Sequence, residues 1–74
     1  MSPRLARAYN LLRSLRLTER QIHEATGVPL TTVRVALIRW ERKGLVDYGR
    51  EWDPAMGRWV TVWWRSDRGG SDER

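Results

Sequence analysis

The run "LTERQIHEATGVPLTTVRVALIRWERKGLV", residues 17–46, constrains the fold of this chain more than any other feature. A capping signal, a short helical stretch, a lone Gly, a second capping signal and an Arg-studded amphipathic run follow one another without a gap. Thr18 with Gln21 forms a capping box: the Thr hydroxyl accepts from the Gln21 amide, and the Gln side chain reaches back to the Thr18 amide. That predicts a short helix from Glu19 to about Thr26, with Ile22 and Ala25 turned inward. Gly27 ends it in the left-handed conformation that Gly adopts at little cost, and Pro29 prevents it from resuming at once. Thr31 is the expected cap of the next helix, which runs to about Lys43 with Val33, Ala36, Leu37 and Trp40 on one inward stripe. Gly44 stops that helix, and Arg42 and Lys43 lie in its last turn, where cations favour the negative end of the helix dipole.

The flanking segments complete the architecture. Leu5, Ala8, Leu12 and Leu15 recur at helical spacing and predict a first helix from Pro3 to about Leu15, capped by Ser2, with Tyr9 and Leu11 widening its buried face. After Gly44 the period shortens to two. "LVDYGREWD" and "RWVTVWWR" read as strands joined by "PAMG", with Pro54 and Gly57 as punctuation. Alternation puts Val60, Val62 and Trp64 on one face and Trp59, Thr61 and Trp63 on the other. The first set is the expected core face, because it adds the least polar area to the helical stripes. Residues 1–65 are thus expected to form one domain of class α+β, three helices followed by a two-stranded antiparallel hairpin. Residues 66–74, "SDRGGSDER", contain no apolar side chain and are expected to be a disordered polar tail.

Composition narrows the function classes. The chain has 74 residues, a net charge of +5 and no Cys, so it has neither a disulfide framework nor a Cys-based metal site. Of its cationic residues only Lys43 is a lysine. Because residues 66–74 are net acidic, the body is more basic than the whole, which points to a polyanionic partner, most often nucleic acid. No apolar run reaches the roughly 20 residues needed to cross a bilayer, and the Arg-interrupted start has no signal-peptide core. A cytoplasmic protein is expected, the host cytoplasm if it is phage-encoded. A short Arg-rich chain without an effector domain suits a phage or mobile element. No Cys nucleophile, His pair, Gly-rich phosphate loop or apolar carboxylate pair is present, so the expectation is a binding module, not an enzyme, with no cofactor, metal or small-molecule ligand.

The order helix, helix, short turn, helix, two-stranded ribbon resembles the winged helix-turn-helix family of DNA-binding domains. "LTERQIHEATG", the turn, and "TTVRVALIRWERKGLV" resemble its signature, and "GRWV" entering the last strand resembles winged-helix repressors. The resemblance covers about residues 3 to 65. It implies that the helix from Thr31 is a recognition helix and the hairpin from Leu45 to Arg65 a wing. His23 departs from the pattern, standing where the family usually has a small Ala between the two helices. An imidazole there must push the helices apart or tilt its ring to the edge.

The resemblance implies double-stranded DNA as partner, with a major groove meeting Thr31, Thr32, Arg34, Val35, Ile38 and Arg39. Arg34 suits bidentate contact with guanine O6 and N7. Thr31, Thr32 and Arg39 suit phosphates, and Val35 or Ile38 a thymine methyl. In the wing, Arg50 and Arg58 are the expected backbone or minor-groove contacts, opposed by Asp47, Glu51 and Asp53 unless cross-strand pairs neutralise them. Val35 and Ile38 also form an apolar patch that suits a protein partner. Four of the five Trp lie in the hairpin, and Trp59 and Trp63 are expected to be partly exposed. They fit a protein interface, a homodimer included, base stacking, or packing within the hairpin itself. The alternative to DNA reading is therefore a winged-helix module that binds a component of the transcription or replication machinery through Val35, Ile38 and the wing Trp residues.

Overall fold

The computed structural model describes residues 1–66. The expected polar tail falls on residues 67–74, outside the described residues. The elements are α1 (Pro3–Leu11), α2 (Glu19–Thr26), α3 (Leu30–Arg42), β1 (Val46–Asp53) and β2 (Arg58–Arg65). Three helices thus precede a two-stranded antiparallel hairpin in a winged-helix-like α+β arrangement.

Each helix ends where its sequence supplies a device, with two corrections. Ser2 caps α1, its hydroxyl accepting from Leu5 N at 3.2 Å, with Pro3 at the first helical position. The helix stops at Leu11 and not near Leu15. Leu12 is buried, but Leu15 is 48% exposed. The cause lies downstream: Leu17 must run beside β2, donating to Trp63 O at 3.1 Å and accepting from Trp63 N at 2.8 Å. A straight helix through Leu15 would carry Leu17 past that edge. The second correction is the cap of α3. Pro29, not Thr31, is the N-cap residue, no side chain caps the helix, and Thr31 lies within the first turn.

The capping box of α2 forms as expected. Thr18 Oγ1 accepts from Gln21 N at 3.1 Å, and Gln21 Oε1 accepts from Thr18 N at 2.9 Å. Gly27 closes the helix at φ 76°. Thr26, not Ala25, joins Ile22 on the inward face, because residues four apart share a face. The buried Thr26 hydroxyl donates to Ile22 O at 2.7 Å and accepts from Val28 N at 3.2 Å, so its burial leaves no polar group unpaired. His23 sits half-buried at the helix edge with Nδ1 2.6 Å from the Val28 carbonyl, so Nδ1–H donates to it and ties α2 to the turn. The helices pack without the small residue because the imidazole has swung to the turn.

Helix α3 ends in a Schellman arrangement: Leu45 N donates to Trp40 O at 2.8 Å and Gly44 N to Glu41 O at 2.9 Å. Val33, Ala36, Leu37 and Trp40 are all buried, as their spacing predicts. With Ala8, Leu12, Ile22 and Val28 they form the core, which Val46 and Trp63 of the hairpin complete.

The hairpin faces are the main departure from expectation. β1 pairs with β2 in a register that sets Tyr48 opposite Trp63, Trp52 opposite Trp59 and Asp53 opposite Arg58. The core face is the one carrying Val46 and Trp63, and Trp63 is only 8% exposed. Trp63 is therefore not available as an interface residue. Val62 is buried on the opposite face beside a half-buried Trp64. That face is closed by Arg16, whose guanidinium lies 4.2 Å from the Trp64 ring and 3.1 Å from Glu51 Oε2. The base of the ribbon is thus covered on both faces, which alternation alone does not reveal. The turn is held by Asp53, whose Oδ1 accepts from Ala55 N at 3.0 Å and Met56 N at 3.3 Å.

Candidate nucleic-acid interface

Burial of one stripe of α3 dictates what the other side offers. Thr31, Thr32, Arg34, Val35, Ile38, Arg39 and Arg42 are all exposed, and Val35 and Ile38 retain 49% and 41% of their surface. Thr31, Val35, Ile38 and Arg42 follow one another at helical spacing, with Arg34 and Arg39 to either side. The structure therefore brings the six recognition-helix residues singled out from the sequence onto one solvent-facing surface.

Arg34 is not a loose cation on that surface. Its Nε and Nη2 donate to Glu19 Oε1 at 3.2 and 3.0 Å, which joins the first turn of α2 to α3. The side chains are 55% and 27% exposed, so water screens the pair and it contributes little to stability. Glu19 was not evident as a site residue from sequence, since the pair spans fifteen positions. Its only sequence signal is an acid at the first position of a helix whose neighbour presents an Arg.

The two wing arginines lie on opposite faces of the ribbon. Arg50 is exposed on the face of Tyr48, Trp52 and Trp59, whereas Arg58 shares the face of Val60 and Val62. One flat surface cannot engage both, although a wing lying within a groove can. Of the opposing acids, Glu51 is engaged by Arg16 and Asp53 by its own turn. The unburied aromatic surface gathers on one face of the hairpin: Tyr48 is 58%, Trp52 53% and Trp59 56% exposed, with the Met56 tip at 60%. Trp52 and Trp59 meet edge to face at 5.8 Å. Among the described residues no group of three or more His, Cys, Asp or Glu could hold a metal ion, and no helix is long and apolar enough to cross a membrane.

Comparison with known proteins gives one similarity of note. No family model matches the chain, and no solved structure matches it. Transcription factor E of Methanosphaera stadtmanae is 41% identical to it over 51 residues, 69% of this chain. The chain spans only 28% of the length of that protein. Three helices, a hairpin and this similarity are together consistent with a winged-helix family.

Proposed function

We propose that this chain is a winged-helix protein of transcription that binds duplex DNA in a sequence-specific manner, with α3 in the major groove and the wing on the flanking backbone. One observation carries the reading: the whole outer face of α3 is exposed and bears Thr31, Thr32, Arg34 and Arg39, while its inner face is consumed by the core. The net charge of +5 favours a polyanion. The similarity to a protein named as a transcription factor supports the setting. The Glu19 carboxylate competes for Arg34, but a screened surface pair exchanges readily for a phosphate or a guanine edge.

A second reading, a module that binds a protein of the transcription machinery, is favoured by the half-exposed Val35 and Ile38 and by the aromatic face around Trp59. Fluorescence anisotropy on random-sequence and enriched duplexes, titrated from about 50 to 200 mM salt, separates the two. The DNA reading expects affinity that falls with salt at a slope of about −0.9 per phosphate neutralised, and a loss on Arg34→Ala and Arg39→Ala. Absence of binding at the lowest salt would refute it.

A further inference from the structure

The outer edge of β2 is already used once as a template for a strand. Trp63 exchanges both backbone hydrogen bonds with Leu17. Residues two and four positions earlier turn their N–H and C=O groups the same way, so Thr61 and Trp59 present theirs along this edge. No described residue pairs with them, because α2 leads the chain away after Thr18. The stretch Trp59–Val62 carries no charge to guard the edge, whereas the outer edge of β1 has Arg50 at its centre. An uncharged open edge is a template for another strand.

We propose that β2 pairs antiparallel with β2 of a second copy of this chain, across a two-fold axis at Trp59. Self-pairing is isologous, so each copy offers the same residues to the other. Trp59 then exchanges hydrogen bonds with its own counterpart, and Thr61 faces the Gly57 end of the other wing. A groove of about 720 Å³ between Thr18, Glu24, Met56 and Thr61 leaves room there for the uncharged tip Pro54–Gly57 of the second wing. The axis sets the edge-to-face Trp52–Trp59 pairs of the two copies side by side, a row of four half-exposed indoles that bury one another. That accounts for aromatic surface at the tip end of the core face, beyond the part that packs against the helices. The contact involves only the two wing tips, so the dimer is weak and concentration-dependent. Like net charge opposes it, and salt strengthens it. The inference rests on the hairpin and does not require DNA binding.

Sedimentation velocity of the protein without DNA, from about 10 μM to 1 mM and at about 0.3 M salt, tests it. The expected result is a dimer fraction that rises with concentration, with indole emission moving to the blue. Thr61→Pro deletes an N–H that the β1–β2 ladder does not use, and Trp59→Ser deletes the central ring. Each should hold the protein monomeric while it still melts cooperatively. A wild-type protein monomeric at about 1 mM overturns the proposal. So does a dimer that survives both substitutions, or one lost in Arg50→Pro and kept in Thr61→Pro, which would place the contact on β1.

Discussion

Arg34 of α3 and Glu19 of α2 meet at a single oxygen: Glu19 Oε1 accepts from Nε at 3.2 Å and from Nη2 at 3.0 Å. In the free protein the pair sets the direction of Arg34, the proposed reader of a guanine edge. Glu19 is also the first residue of α2, where a carboxylate favours the positive end of the helix. One side chain thus orients a candidate reader and steadies a helix terminus, and both effects are small at an exposed site.

Glu19→Gln separates these roles. Stability should fall by less than about 1 kcal/mol, since an exposed pair and a dipole term of this kind are each worth only tenths. Duplex affinity should rise several-fold, because Arg34 no longer exchanges one anion for another. Thermal melting and anisotropy measured on the same sample check both. Lower affinity in Glu19→Gln would mean that the carboxylate positions Arg34 and does not compete with DNA for it.

The helices were legible because their ends carry chemistry: Ser2, the Thr18–Gln21 box, Gly27 and Gly44 all act as their types predict. The stop after Leu11 was not legible. No Gly or Pro marks it, and it follows from a long-range pair, Leu17 with Trp63. Thr31 suits a cap by type, whereas Pro29 holds the position by its backbone conformation alone. The hairpin faces failed for a different reason. Both carry Trp and a β-branched residue, so alternation cannot rank them, and Arg16 with Trp64 shields the second face. For the candidate site, exposure of the six α3 residues followed from the stripe opposite, but the partner of Arg34 did not.

Thr18→Ala tests the capping box as an energetic unit. It removes the acceptor for Gln21 N and leaves the reciprocal bond without its mate. Loss of such a cap costs about 1 kcal/mol, which in a domain this small lowers the melting temperature by about 4–8 °C. Circular dichroism melting checks it, and an unchanged midpoint would mean that the Leu17–Trp63 bridge alone holds the start of α2.

Trp63 is the residue on which the hairpin depends. It packs in the core, stacks on Tyr48 at 5.0 Å and anchors Leu17 through its backbone. Trp63→Ala should cost about 3–5 kcal/mol, comparable with the whole stability of a domain of this size, so the chain should lose cooperative melting. Trp59→Ala, at an exposed position, should leave the midpoint within a few degrees. Equal effects of the two would contradict the burial of Trp63 and the exposure of Trp59.

Gly49 sits under the Trp64 ring: a Cβ there would lie 3.1 Å from Cη2 and 3.5 Å from Cζ3. Two terms oppose each other on substitution. Gly inside a strand costs roughly 0.5–1 kcal/mol relative to Ala through its greater freedom when unfolded, and Gly49 has no positive φ to forbid a side chain. Against this, the ring must shift by a few tenths of an ångström, which a half-buried Trp64 can do at small cost. Gly49→Ala should therefore stay within about 1 kcal/mol of the parent. Gly49→Val adds two methyl groups that a shift of this size cannot clear, so it should cost about 1–3 kcal/mol by overpacking. It should also displace the ring from the Arg16 guanidinium. Denaturant titration followed by indole emission measures both effects. A Gly49→Val protein as stable as the parent would show that the Trp64 ring is not held in place by Arg16.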